Sequence, residues 1–145
     1  ALHLLGEIEE QRGRLAEAAG RFDEAAATTA ELLARHPDAP EHLFNHAQSE
    51  YWVGFIARRR ALPAEAEAAF GRYRALADRL VALQPDKAEW RIEQAYAGQN
   101  LGVLQLEAGR PAAALQAFDL TLQAWRPVVA ERPAMALELA NTLGW

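Results

Sequence analysis

A chain of 145 residues that is 51% hydrophobic can bury a core, and this length fits one domain or one helical array. Its formal net charge of −5 argues against a nucleic-acid surface, and the absence of cysteine excludes disulfides and thiolate chemistry. No apolar stretch is long enough to cross a membrane, so no segment of the sequence is predicted to span one.

Apolar residues recur with a helical period along the sequence, and short turns interrupt them. Nothing in the pattern indicates a strand. In chain order, the predicted helices cover residues 1–12, 15–36, 39–60, 63–84, 87–108, 111–131 and 134–144. The chain starts and stops inside predicted helices, so we expect it to be a piece of a longer protein.

A glycine, an alanine and a phenylalanine recur together three times at a spacing of 48 residues, each set followed by a proline. Such a period predicts stacked units of two helices. The first helix of a unit carries the glycine, and the second presents the alanine and the phenylalanine on one face. A glycine inside a helix costs about 1 kcal/mol relative to alanine, so the pattern indicates close approach of the paired helices. The positions are Gly6, Ala18, Phe22 and Pro37; Gly54, Ala66, Phe70 and Pro85; and Gly102, Ala114, Phe118 and Pro133.

Other residues mark where the helices of each unit begin. Pro63 and Pro111 occupy equivalent places after the turn, and the first turn of a helix accepts proline. The spacing of a capping box predicts that two aspartates cap the first helices of their units. These pairs are Asp38 with Glu41 and Asp86 with Glu89.

The repeated positions resemble those of the tetratricopeptide repeat family. That motif has a large apolar residue and a glycine in helix A, a glycine before the turn, an alanine and an aromatic residue in helix B, and a closing proline. The further positions that match it are Leu5, Gly13, Val53, Leu101 and Gly109, and Ala61 replaces the glycine of the second turn. The resemblance covers the whole chain but departs from the family in length, since the usual repeat has about 34 residues.

The resemblance implies an all-α fold, specifically an α-solenoid of antiparallel helix pairs in which residues 1–145 form a single array. The predicted units are a partial first repeat (1–36), a second repeat (37–84), a third repeat (85–132) and a partial fourth repeat (133–145).

Pro127 breaks the repeat, because the aligned residues Arg79 and Glu31 are ordinary helix residues. Proline removes a hydrogen bond inside a helix and restricts the residue before it. We therefore predict that the last full helix kinks or ends near Ala124–Arg126, and that the fourth repeat sits at a different angle.

No combination of residues points to catalysis. His42 and His46, with Glu50 one turn on, have a spacing that metal ligands use, but two surface or groove histidines are the simpler interpretation. The basic run Arg58–Arg60 either grips a carboxylate or phosphate or is a solvated helix end. No nucleophile elbow, phosphate loop or catalytic triad can be assembled, so we predict no enzyme activity, no cofactor and no metal.

In tetratricopeptide arrays the A helices line the concave side, and the resemblance therefore implies a peptide-binding groove. The matching positions include Tyr, Trp and Arg, the residue types that dominate binding hot spots. The groove candidates are Tyr51, Trp52, Phe55, Arg58, Arg59, Tyr96, Gln99 and Asn100. An alternative interpretation places Trp52 and Phe55 in the packing between repeats.

We expect a non-catalytic protein- or peptide-binding scaffold that uses this groove. Because Arg58 and Arg59 stand beside aromatic residues, the expected partner carries an acidic or C-terminal carboxylate group. The alternative is a ligand- or peptide-sensing regulatory segment of a larger signalling or transcription protein. We also expect a cytoplasmic location, neither nucleic-acid nor membrane partners, and self-association through uncapped apolar ends.

Overall fold

The computed structural model of the protein describes residues 2–131, with side chains described from residue 11 onward. Within that range the chain forms five helices and no strand, which confirms the all-α prediction there. The helices are α1 (Leu2–Arg35), α2 (Pro40–Arg59), α3 (Pro63–Leu83), α4 (Ala88–Glu107) and α5 (Pro111–Glu131). The predicted helix at 134–144, the fourth repeat and the apolar ends lie outside the described residues.

Consecutive helices pack against one another, and the helices of each pair run antiparallel. Glu50 of α2 pairs with Arg72 of α3, and Gly54 of α2 faces Phe70 of α3. A forward step along α2 is therefore a backward step along α3. The same reversal holds between α4 and α5, where the facing pairs are Gly98 with Thr121 and Gly102 with Phe118.

The helices α2 and α4 lie side by side in the same direction. Their contacts advance together along both helices, so α2 and α4 are parallel neighbours with α3 returning between them in sequence. The contacts are Phe44 with Trp90, Gln48 with Glu93, and Arg58 with Glu107.

Two of the repeated glycines, Gly54 and Gly102, lie where the paired helices approach closely, as the sequence predicts. A methyl group on Gly54 would come within 3.0 Å of the Phe70 ring, and one on Gly102 within 2.5 Å of the Phe118 ring. The glycine therefore leaves room for the ring of the partner helix. Phe70 is fully buried there, whereas Phe118 is half-buried.

The main core lies between α2, α3 and α4. Its residues come from the faces that these helices turn toward one another, at helical spacing along each. Alanine is frequent among them because small side chains allow close helix packing. The fully buried members are Leu43, Ala47, Ala66, Phe70, Tyr73, Leu80 and Ala97.

The predicted turn near Gly13 is wrong, because α1 runs unbroken through it. In the later units the aligned residues, Ala61 and Gly109, have φ of 58° and 74° and reverse the chain. Each is followed two residues later by a proline that begins the next helix, whereas Leu15 stands there in the first unit. Leucine donates its backbone N–H and continues the helix, so glycine alone does not end it.

The predicted aspartate caps are also wrong. α2 has Ala39 as its N-cap and α4 has Lys87, and neither helix has a side-chain cap hydrogen bond. Asp38 and Asp86 therefore each lie one residue before the position from which a side chain caps a helix. Pro40 begins α2 instead, since its fixed φ suits the first helical position.

The helix α5 does not end near Ala124–Arg126, so the predicted helix end there is wrong. It continues through Pro127 to Glu131. Trp125 and Val128, on either side of the proline, are 0% and 1% exposed. Their packing holds the helix on both sides of the hydrogen bond that proline removes.

Candidate functional site

A cavity of about 450 Å³ opens between the parallel helices α2 and α4, and α3 contributes to its floor. On each of the two helices the lining residues recur at helical spacing, so they share one face. We refer to this space as the central cavity. It is lined by Gln48, Tyr51, Arg58, Tyr73, Glu93, Tyr96, Gln99, Asn100 and Val103.

A half-buried carboxylate, Glu93, and its hydrogen-bond donors form the floor of the central cavity. The Tyr73 hydroxyl donates a hydrogen bond to Glu93 Oε2, and Gln48 Nε2 donates to the same oxygen at 3.3 Å. Burial raises the pKa of Glu93, although both hydrogen bonds oppose that shift. Burial and the neighbouring Glu93 carboxylate raise the pKa of Tyr73 far above its ordinary value, so its phenol stays protonated.

An exposed ion pair lies at the rim. Arg58 Nη2 is 2.6 Å from Glu107 Oε1, and both side chains are largely exposed. The carboxylate of Glu107 therefore already accompanies Arg58, and an exposed pair of this kind is held only weakly.

An asparagine and a tyrosine shape the wall that α4 contributes. Asn100 Nδ2 donates to the backbone carbonyl of Tyr96 at 2.8 Å, which fixes the orientation of the amide. Tyr96 packs edge-on against the buried Trp125 of α5. These contacts hold both side chains in place before any ligand binds.

The structure brings five of the eight predicted groove residues together in the central cavity. They are Tyr51, Arg58, Tyr96, Gln99 and Asn100. Phe55 and Arg59 lie beside it and line a smaller cleft with Arg58 and Glu107, where the Arg59 guanidinium lies 5.9 Å from the centre of the Phe55 ring.

Trp52 lines neither space, although its ring contacts Tyr51 and Phe55. Its ring stacks on Phe22 of α1 with centroids 5.6 Å apart, and it remains 40% exposed. This contact joins α1 to α2, which is the packing role that the alternative interpretation gives to Trp52.

Two residues of the cavity floor, Tyr73 and Glu93, escape the sequence prediction. Tyr73 lies on a B helix, and the aligned residue in the third unit is Thr121. Because the two residues differ in type, comparison of the repeats does not single out Tyr73. Glu93 is three residues before Tyr96 on the same helix face, and helical spacing from that candidate would have found it.

A second polar cluster joins α1, α2 and α3 around His46. Nδ1 of His46 is 2.8 Å from the Thr29 hydroxyl, and Nε2 is 3.5 Å from Glu50, which pairs with Arg72 at 2.8 Å. Because Glu50 faces Nε2, we assign the imidazole proton to that nitrogen. Burial lowers the pKa of His46, Arg72 lowers it further, and Glu50 opposes the shift.

His42 and His46, whose spacing is one that metal ligands use, do not form a metal site in the structure. His42 stacks on His36 with ring centroids 5.3 Å apart, while His46 bonds Thr29. Among the described residues, no group of three or more His, Cys, Asp or Glu side chains could hold a metal ion. The same part of the chain has no helix that is both long and apolar enough to cross a membrane.

Comparison of the chain with protein-family models, curated proteins and solved structures finds no match. Functional inference therefore depends on the chemistry of the central cavity. Of the residues that the structure describes, those that line it include no Ser, Thr, Cys, His or Lys. The side chains present are suited to holding a ligand through aromatic faces, amides and one carboxylate.

Proposed function

We propose that the protein is a non-catalytic scaffold that binds a protein or peptide segment along α2 and α4. The observation that carries this proposal is the central cavity between α2 and α4. Tyrosines of α2, α3 and α4 line it, together with three amide or carboxylate side chains of α4 and Gln48 of α2. Concave sites with aromatic walls and a few oriented polar groups are the usual form of binding sites.

The proposal includes the architecture that the tetratricopeptide resemblance implies. The parallel order of α2 and α4, together with the alternation of A and B helices, supports a solenoid in which successive A helices line one side. A peptide lying on that side would contact the central cavity and the adjoining cleft of Phe55 and Arg59.

An acidic or carboxylate-terminated partner remains a prediction within this proposal. Arg59 is the better placed of the two arginines to meet such a group, because Arg58 already pairs with Glu107. A carboxylate bound near Arg59 would also lie beside the aromatic face of Phe55.

The test is a selection of binders from a random peptide library, followed by titration against variants. Arg59→Glu reverses a charge at the cleft, and Asn100→Leu removes the cavity amide at nearly constant volume. Arg126→Glu, on the exposed side of α5, is the matched charge-reversal control.

The selected peptides are expected to lose at least about tenfold in affinity with Arg59→Glu or Asn100→Leu, which corresponds to about 1.4 kcal/mol. They should bind Arg126→Glu as they bind the unaltered protein. Equal affinity for all four proteins would place the binding surface elsewhere and overturn the proposal.

A further inference from the structure

The central cavity contains a negative group at its floor. Among the described residues that line it, Glu93 is the one acidic side chain and Arg58 is the one basic side chain. Glu107 accompanies Arg58 at the rim, at 2.6 Å. The charge that faces an incoming ligand at depth is therefore the Glu93 carboxylate.

The two hydrogen-bond donors to Glu93 leave its two carboxylate oxygens in different environments. Tyr73 and Gln48 both donate to Oε2. A guanidinium prefers to bond both oxygens of a carboxylate through parallel hydrogen bonds, and here it would compete with these donors for Oε2. An ammonium is a compact charge that needs one oxygen, and Oε1 offers that oxygen without breaking the floor network.

The aromatic side chains on the walls of the central cavity also favour binding of a cation. Tyr51 on α2 and Tyr96 on α4 line the cavity on its two sides, above the buried Tyr73. Ring faces attract cations by about 0.5–2 kcal/mol, and the methylene stem of a lysine packs well on apolar and aromatic surface.

We propose that the central cavity takes up a lysine side chain of the bound peptide, with its ammonium at Glu93 and its stem between Tyr51 and Tyr96. This inference rests on the proposed peptide-binding function and names the residue that the peptide inserts. The ammonium compensates a carboxylate that is costly to bury alone. The net charge of −5 favours approach of this lysine, and the carboxylate expected near Arg59 would belong to another residue of the same peptide.

The probes are four capped five-residue peptides that differ only at the central position, which is lysine, arginine, norleucine or glutamate between alanines. Each is titrated into the protein with the ring signals of Tyr51, Tyr73 and Tyr96 followed by NMR. The lysine peptide is expected to shift these signals and to bind at least about tenfold more tightly than norleucine, which has the same stem without the charge.

Glu93→Gln removes the charge and keeps an oxygen that accepts from Tyr73. Its matched control is Glu31→Gln, the same chemical change at an exposed position of α1 that lines neither the cavity nor the cleft. We expect Glu93→Gln to weaken lysine-peptide binding at least about tenfold and Glu31→Gln to change it less than about threefold. Thermal melting monitored by circular dichroism verifies that each variant is folded. The titrations of the unaltered protein with the four peptides test the inference even where a variant fails to fold.

Several results would overturn the inference. If the norleucine peptide binds as tightly as the lysine peptide, the cavity recognises apolar bulk rather than charge. If the arginine peptide binds more tightly, the guanidinium bonds both oxygens of the Glu93 carboxylate. Preferred glutamate binding would assign the site to Arg58. If library peptides bind through Arg59 and Asn100 while the lysine probe shifts none of the three tyrosines, the inference fails and the scaffold proposal stands.

Discussion

Glu93 illustrates a residue whose environment works against its charge. Its carboxylate lies between α2 and α4 with donors from Tyr73 and Gln48, and burial still outweighs them and raises its pKa. A carboxylic acid whose pKa is raised by folding stabilises the native state fully only below its unfolded pKa. That contribution is lost as the pH rises through the folded pKa. Ionised Glu93 therefore costs folding free energy at neutral pH, as is common at binding sites.

We predict that Glu93→Gln raises the free energy of unfolding at pH 7, because it removes an ionised group that burial disfavours. The gain should shrink as the pH falls toward and below the ordinary glutamate value of 4.5, where wild-type Glu93 is also neutral. Urea unfolding at pH 7 and pH 4 measures the difference. Glu107→Gln should show no gain at pH 7, since it breaks the exposed pair with Arg58, and a destabilised Glu93→Gln would contradict the prediction.

At the scale of elements, the pairing of helices depends on where glycine is placed. Gly102 is buried against the Phe118 ring, whereas Gly71 lies exposed on α3 with no atom within 4 Å of an added methyl group. The same residue type thus has opposite roles on two helices. One allows close approach of helices, and the other only lowers helix propensity.

We predict that Gly102→Ala destabilises the protein by about 1–3 kcal/mol, because the added methyl group forces the Phe118 ring to move. Gly71→Ala should instead stabilise it by up to about 1 kcal/mol, through helix propensity alone. Chemical denaturation of both variants provides the measurement. Equal shifts of the same sign would show that the contact between α4 and α5 tolerates a side chain at position 102.

At the scale of the whole molecule, each helix packs chiefly on its neighbours in sequence, and burial is uneven along the chain. None of residues 11–32 of α1 is buried, whereas α3 buries seven residues. Regions with few buried contacts open more readily than the core, and arrays bound by nearest-neighbour contacts open in parts.

The rate of amide hydrogen exchange is therefore expected to differ between α1 and the core. Amides of residues 11–30 should exchange at least about tenfold faster than those of residues 66–80, because the first segment lacks a buried face and the second lies in the core. Mass spectrometry of exchanged peptides resolves the two segments. Uniform protection along both would mean that the chain opens only as one cooperative unit.

The sequence by itself determined the helical class, the ends of four turn-bounded helices to within a few residues, and the match of glycine with phenylalanine. These follow from local propensity and from a repeated steric requirement that is visible in the residues themselves. Five of the eight groove candidates also meet in one cavity, because helical spacing places them on common faces of α2 and α4.

Only the tertiary structure decided the remaining features. Buried neighbours carry α5 through Pro127, since packing outweighs a local breaking signal. Trp52 meets α1, and Glu93 meets Tyr73 across helices that are distant along the chain. Such contacts depend on which faces the packed helices bring together, and no single helix specifies that.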